Sequence, residues 1–278
     1  MIRQAYLPLA TYPDANSDAV AANAVRMAAC LDCGLNAMAL NADIPDISNA
    51  VARLVINLPE MIREVEAASK KRGEQLLAKV TQEARSAGVN VTTEAVRHLG
   101  SILPDLAATH AKYYDYALCG WEAGNNTSHL LAETLVFGSG RPVALMPELY
   151  SVGSLDHVAI AWDGSRVAAR AVADAEHLLR RAQRVFVLTV LDEKPLQEKD
   201  PGGRLVASLA RRGLDAAAVG ITCEDCPIEN SLQERAKELG AGILVMGAFG
   251  HSRLREFVLG GATRGVLADL RMPVMLSH

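Results

Sequence analysis

The feature that most constrains this 278-residue chain is an internal repeat, in which apolar strands alternate with helices and the whole series occurs twice. Each series ends in nearly the same closing strand, written "RPVALM" at 141–146 and "MPVMLS" at 272–277. Short apolar runs are typical of strands buried on both faces, and their alternation with helices predicts a parallel sheet with right-handed crossovers. We therefore predict an α/β fold of two tandem, open, five-stranded parallel-sheet domains with helices on both faces, Rossmann-like in outline.

The repeat also predicts the domain boundaries, at residues 1–147 and 156–278, joined by a linker over 148–155. A long helix near 60–87 occupies the place of a shorter helix in the second half. Ser165 is available to cap the first helix of the second domain. The expected strands lie at 4–11, 35–43, 89–96, 114–120 and 141–147, and again at 158–164, 184–193, 214–221, 241–250 and 272–278.

Composition narrows the class of protein and of partner. Half of the residues are hydrophobic and the net charge is −4, which indicates a globular chain and argues against general binding to nucleic acid or to anionic membranes. Apolar runs stay well short of the roughly 18 residues that a membrane span needs. The start of the chain, "MIRQAYLPLATYPDAN", lacks the pattern of an export signal, so we expect a cytoplasmic protein.

The cysteines include two C-x-x-C pairs, Cys30 with Cys33 and Cys223 with Cys226. Such pairs can build zinc or redox sites, but these two lie far apart and have no histidine at ligand spacing beside them. The stretch "CLDCG" also resembles the end of a helix with Gly34 as its C-cap. We therefore interpret the cysteines as ordinary small residues and assign no metal ligand.

The stretch "GAFGHSRLREFVLGGAT", residues 247–263, combines glycines with an expected helix start. Gly247 and Gly250 follow the fourth strand of the second domain, where bare backbone permits close approach. Gly260 and Gly261 open the last helix, whose unpaired N–H groups favour an anion, and Thr263 adds a hydroxyl in its first turn.

Two residues at other strand ends extend this pattern into a candidate mononucleotide site. Asp163 follows the first strand of the second domain and could accept hydrogen bonds from a ribose, while Val190 ends the second strand beside a position for adenine. Arg253 is a candidate phosphate ligand. The alternative is that the glycines only mark turns and that residues 252–259 form a short amphipathic helix. A lysine-bearing phosphate loop and a G-x-G-x-x-G dinucleotide motif are both missing from the sequence.

The sequence "VMGAFGHSRLREFVLGGAT", with "AWDGS" upstream and "MPVMLSH" downstream, resembles the universal stress protein family. The resemblance covers the whole chain as a tandem pair, is strongest over 156–278, and implies an adenine-nucleotide-hydrolase-like fold. It implies ATP or a related adenine nucleotide as ligand, with or without Mg²⁺. The residues that it implicates are Asp163 and Val190 for ribose and adenine, and Gly247, Gly250 and Gly260 for the phosphates.

Two departures from the family pattern bear on the ligand. Gly261 stands where nucleotide-binding members carry Ser or Thr, which removes one hydroxyl contact worth about 0.5–1.5 kcal/mol. In the first half, Thr11 stands where Asp163 stands in the second, and Trp121 directly follows Gly120 in place of the glycine stretch. The first half therefore resembles family members that bind no nucleotide.

The resemblance implies a stress-response protein in which a nucleotide in the second domain biases conformation or assembly. It also implies pairing of the two halves within one molecule, while the pairing of whole chains into a homodimer stays open. Two alternatives remain at this stage: a protein-interaction scaffold without nucleotide, and a slow ATPase. We assign no catalytic residue, because the glycine stretch lacks a lysine and the sequence offers no evident base.

Overall fold

The computed structural model describes residues 2–45, 57–192, 199–223, 226–248 and 261–278. By their contacts the residues divide into two compact units. The first comprises residues 1–120 and 124–139, and the second comprises residues 121–123 and 140–278.

The first unit is a parallel sheet whose strands follow the order β3-β2-β1-β4. Helices α1 and α2 pack on each other, as do α3 and α4. All six residues of β4 are buried, as are the last six of β1, which explains the unbroken apolar runs at these positions. The elements are β1 (Arg3–Ala10), α1 (Ala19–Cys30), β2 (Cys33–Asp43), α2 (Leu58–Ala87), β3 (Val91–Leu99), α3 (Leu103–Ala111), β4 (Tyr116–Trp121) and α4 (Asn126–Gly138).

The second unit repeats this topology, with the strand order β10-β9-β6-β7-β8 in a parallel arrangement. Its helices contact the sheet through α5, α7 and α8, and α9 packs on α8. Its elements are β5 (Val143–Pro147), β6 (His157–Ala161), α5 (Arg166–Asp174), α6 (Glu176–Arg181), β7 (Arg184–Val190), α7 (Pro201–Arg211), β8 (Ala216–Ile221), α8 (Ile228–Glu238), β9 (Ile243–Gly247), α9 (Gly261–Ala268) and β10 (Val274–Ser277).

The predicted α/β fold with mostly parallel sheets is confirmed, with one difference at β5. The repeat assigns β5 to the first half, but it pairs antiparallel with β10 and so lies in the second unit. Trp121 belongs to the same unit, and its indole N–H donates to the carbonyl of Leu267 at 3.1 Å. The compact units therefore divide the chain before β5, whereas the sequence repeat divides it after β5.

Two local predictions are corrected. Helix α1 ends at Cys30, so Gly34 is not its C-cap; Gly34 lies in β2, and the chain reverses at Asp32 with a φ of 52°. Aspartate tolerates this left-handed conformation better than most residues do. The single helix expected after Ser165 is broken at Ala175 into α5 and α6.

Within the described ranges, none of the helices combines the length and the apolarity that crossing a bilayer requires.

Candidate functional site

The order of the strands reverses in the second unit between β6 and β9. From β6 the chain proceeds outward to β7 and β8, and it then returns to the other side of β6 to form β9 and β10. In open parallel sheets, ligands bind at the carboxyl ends of the strands at such a point. The pairing of β6 with β9 places the first and fourth strands of the repeat side by side at this point.

The register of β6 and β7 brings two of the predicted residues level with each other. Ala161 pairs with Leu188, and Asp163 and Val190 lie two residues beyond this pair on their strands. Adjacent strands are about 4.8 Å apart, so the two positions are neighbours across the edge of the sheet. Asp163 is exposed and Val190 is half-buried.

The register of β6 and β9 places Gly247 near the same edge of the sheet. Ile160 pairs with Val245, which places Gly247 level with Trp162 and one residue short of Asp163. The backbone N–H of Ala248 continues the ladder by donating to the carbonyl of Ser277 at 2.7 Å. Val190 and Gly247 therefore end β7 and β9, and Asp163 follows the end of β6 at the same edge.

Local hydrogen bonds hold the turn that carries Asp163. Its Oδ1 accepts from the backbone N–H of Ser165 at 2.9 Å, and the chain turns through Gly164 with a φ of 75°. The hydroxyl of Ser165 in turn accepts from the N–H of Ala168 at 3.2 Å, which confirms Ser165 as the N-cap of α5. The carboxylate therefore sits on a turn fixed to the start of a helix.

Gly247 has a packing role that the sequence does not reveal. A Cβ at this position would lie 2.5 Å from the carbonyl carbon of Val167 and 2.6 Å from the nitrogen of Ala168. These are backbone atoms of the first turn of α5, so the glycine allows that helix to rest directly on the end of β9. Close helix–strand packing accounts for Gly247 whether or not a ligand approaches it.

The start of α9 is the remaining described part of the predicted site. Gly261 is its first residue, and Thr263 lies in its first turn with 5% of its surface exposed. Since α9 connects the carboxyl end of β9 to the start of the parallel strand β10, the helix begins on the carboxyl side of the sheet. Gly250, Arg253 and Gly260 lie outside the described residues.

The corresponding edge of the first unit is filled by its own side chains. The hydroxyl of Thr11 donates to the carbonyl of Leu40 at 2.7 Å and lies 2.7 Å from the hydroxyl of Ser69 on α2. Because the single hydroxyl proton of Thr11 goes to Leu40, Ser69 donates to Thr11, and Ser69 also accepts from the N–H of Ala42 at 2.9 Å. This chain of hydrogen bonds covers the ends of β1 and β2 with α2, and both hydroxyl residues are buried.

A second contact from α2 closes the loop after β1. The guanidinium of Arg72 donates to the carbonyl of Asn16 at 2.6 Å and pairs with Asp18 at 2.8 Å. Asn16 is buried, and its side-chain oxygen accepts from the N–H of Ala10 at 2.7 Å. The loop that corresponds to the Asp163 turn is thus bound to the unit's own helix.

Two residues near the second unit's edge were missed by sequence reasoning. The indole N–H of Trp162 donates to the carbonyl of Pro201 at 3.0 Å and so ties the end of β6 to the start of α7. The ring of His278 lies with its Nδ1 2.9 Å from the carbonyl of Ala248, so Nδ1 carries the proton. Tryptophan is rare in this chain, and this rarity could have drawn attention to Trp162. No local sequence feature indicated a role for His278.

Within the described ranges, no group of three or more His, Cys, Asp or Glu side chains is arranged to hold a metal ion. The strand edge can instead offer an exposed carboxylate, an apolar surface at Val190 and backbone N–H groups at the start of α9. This set suits a ligand with hydroxyl groups, an apolar ring and an anionic end.

Comparison with known proteins agrees with this architecture. The model of the universal stress protein family matches residues 154–278. A universal stress protein from Archaeoglobus fulgidus DSM 4304 is 16% identical, with a TM-score of 0.71, over 98% of this chain and 95% of that chain. A protein of unknown function from Pseudomonas aeruginosa PAO1 is 14% identical, with a TM-score of 0.54, over 99% of this chain and 92% of that chain. No curated protein matches the chain.

At such identities the solved structures establish a shared fold, and the family match establishes the relationship of the second half. The length of the chain and the repeated topology are consistent with a tandem of two such domains. The second half of the chain, residues 154–278, therefore matches a universal stress protein domain.

Proposed function

We propose that the second unit binds ATP or a related adenine nucleotide across the ends of β6, β7 and β9. Asp163 accepts hydrogen bonds from the ribose, Val190 contacts the adenine, and Gly247, Gly250, Gly260 and the backbone of Gly261 surround the phosphates. Arg253 and Thr263 are further candidate phosphate ligands. The observation that carries the proposal is the convergence of Asp163, Val190 and Gly247 at the point where the strand order reverses.

The difference between the two units supports a single site per chain. In the first unit, Thr11, Ser69 and Arg72 bind to the ends of β1 and β2 and to the loop after β1, where a nucleotide would otherwise lie. In the second unit, the exposed Asp163 stands at the place of the buried Thr11.

The nucleotide acts as a regulator of conformation or assembly in a cytoplasmic stress response. A ligand shifts such an equilibrium only by binding one state more tightly than the other. The size of the regulatory effect therefore depends on the difference in ATP affinity between two states of the chain. Where ATP is the ligand, Mg²⁺ accompanies its phosphates.

The direct test uses the full chain, purified without added nucleotide and then denatured. The released small molecules are separated by anion exchange and identified by mass. Adenine nucleotide near one equivalent per chain is the expected result. Two equivalents would contradict the closed first unit. No released nucleotide, together with no heat on titration with micromolar ATP, would favour the interaction scaffold.

A matched pair of variants tests the role of Asp163. Asp163→Ala should weaken ATP binding about 10- to 100-fold, since a hydrogen bond to a charged acceptor contributes about 1.5–3 kcal/mol. Asp156→Ala removes an exposed carboxylate at the opposite end of the same strand and should leave the affinity unchanged. Equal affinities for both variants would remove Asp163 from the site. A variant of Asp163 that binds ATP normally but loses phosphate release would instead favour the slow ATPase.

A further inference from the structure

The two C-x-x-C pairs have the same spacing but different surroundings, and Cys223 and Cys226 are free thiols. Cys223 and Cys226 lie between β8 and α8 in the second unit. In the first unit, Cys30 is the last residue of α1 and Cys33 is the first residue of β2. The comparison of the two pairs indicates which of them is built for thiol chemistry.

The backbone brings Cys223 and Cys226 together. The N–H of Cys226 donates to the carbonyl of Cys223 at 2.8 Å, so the backbones of the two cysteines are in direct contact. A hydrogen bond between residues three apart holds their Cα atoms within about 7 Å, and disulfides span Cα separations of about 4.4–6.8 Å. A disulfide between these two residues therefore requires little movement of the backbone.

Contacts on both sides hold the two cysteines in place. The backbone N–H of Cys223 donates to both carboxylate oxygens of Asp192, at 2.9 and 3.0 Å. Directly after Cys226, Pro227 stands at the N-cap position of α8, which begins at Ile228. The two cysteines are thus anchored to the end of β7 on one side and to a helix on the other.

The thiols of Cys223 and Cys226 differ in access to solvent. Cys226 is exposed, whereas Cys223 has 7% of its surface exposed. Cys226 can therefore meet a reagent from solution, whereas the buried Cys223 is placed to react with Cys226. This division corresponds to an attacking and a resolving thiol.

The pair in the first unit lacks these properties. Cys33 lies in the β1–β2 ladder opposite Arg3, and its thiol donates to the carbonyl of Ala28 at 3.5 Å. Burial, with smaller contributions from Asp115 and Asp32, raises the pKa of Cys33 to about 12. Near neutral pH very little of the reactive thiolate forms there.

We propose that Cys223 and Cys226 form a reversible dithiol–disulfide site that exchanges with low-molecular-weight disulfides. The thiolate of Cys226 attacks one sulfur of the disulfide RSSR, forms a mixed disulfide and releases RS⁻. The thiolate of Cys223 then attacks the sulfur of Cys226, forms the Cys223–Cys226 bond and releases the second RS⁻. The two protons from the cysteines leave as two RSH, so the cysteines lose two electrons and RSSR gains them. The proposal does not rest on nucleotide binding.

The test incubates the reduced full chain with oxidised glutathione at neutral pH, followed by acid quenching, denaturation, alkylation and peptide mass analysis. The chain should lose two of its five alkylatable thiols. The peptide with Cys223 and Cys226 should carry no alkyl group and be two hydrogen atoms lighter than the same peptide with two free thiols. The peptide with Cys30 and Cys33 should stay fully alkylated. Retention of both thiols at Cys223 and Cys226, or equal oxidation of the two pairs, would overturn the proposal.

Variants separate the two chemical roles. Cys223→Ser should accumulate a glutathione adduct on Cys226, because the resolving thiol is lost. Cys226→Ser should show neither adduct nor disulfide at Cys223, and the exposed position makes this variant compatible with folding. Cys30→Ser is the matched control and should oxidise at Cys223 and Cys226 like the parent. An adduct that forms in Cys226→Ser at the rate seen in Cys223→Ser would show that the buried thiol reacts directly and would refute the proposed order.

Discussion

Replacing Gly247 by alanine tests the packing of α5 on the end of β9. The added Cβ would lie 2.5 Å from the carbonyl carbon of Val167, 2.6 Å from the nitrogen of Ala168 and 2.8 Å from Cγ2 of Val167. Carbon atoms in favourable contact are about 3.5–4.0 Å apart, so the first turn of α5 must move by about 1 Å. Two of the three atoms belong to the backbone and cannot rotate away.

The expected magnitude follows from two opposing effects. Overpacking of this kind costs about 1–3 kcal/mol. The loss of flexibility in the unfolded chain on changing glycine to alanine returns about 0.4–1 kcal/mol. Gly247→Ala should therefore lower the free energy of unfolding of the second unit by about 1–2 kcal/mol, in the absence of any nucleotide.

Urea unfolding followed by tryptophan fluorescence is a suitable assay, because both tryptophans, Trp121 and Trp162, lie in the second unit. With a urea dependence of about 2 kcal/mol per molar, the midpoint should fall by about 0.5–1 M. The control is Gly220→Ala in β8, where the new Cβ meets Cδ1 of Leu191 at 2.9 Å. That side chain is 55% exposed and can move, so the change should stay within about 0.5 kcal/mol.

An unchanged midpoint for Gly247→Ala would refute the tight contact with α5. An equal fall for Gly220→Ala would show that the loss reflects glycine replacement in a strand rather than this contact. If Gly247→Ala kept its stability but lost affinity for ATP, the glycine would serve the ligand alone.

Two further predictions concern the first unit. Thr11→Val should lower the free energy of unfolding of the first unit by about 1–3 kcal/mol, because the carbonyl of Leu40 and the hydroxyl of Ser69 lose their partner. Hydrogen exchange of the β1 and β2 amides measures this loss. The control is Ser86→Ala at an exposed position, which should change the exchange of these amides little. Cys33 should make stability fall as pH rises from its usual pKa of 9.0 towards about 12, because the unfolded chain releases the thiol proton before the folded chain does. Cys33→Ala should flatten that decline in urea unfolding followed by circular dichroism, and an unchanged slope would contradict the prediction.

Part of the candidate site could be predicted from the sequence. Asp163, Val190 and Gly247 were predicted because each follows an apolar run, and residues after parallel strands share one edge of a sheet. Their convergence depends only on strand order, which the alternation of strands and helices restricts strongly. Their contacts with a nucleotide stay predictions, as do those of Gly250, Arg253, Gly260, Gly261 and Thr263.

The sequence alone determined the kind and the order of the predicted elements, because burial on both faces demands unbroken apolar runs and because a cap such as Ser165 acts within one turn of chain. Only the tertiary structure decided which strands and helices contact each other. Three such contacts join residues that are far apart in the chain. They are the pairing of β5 with β10, the hydrogen bond between Ser69 and Thr11, and the packing of α5 against Gly247. Such contacts depend on shape and hydrogen bonding in three dimensions, and local composition carries no trace of them.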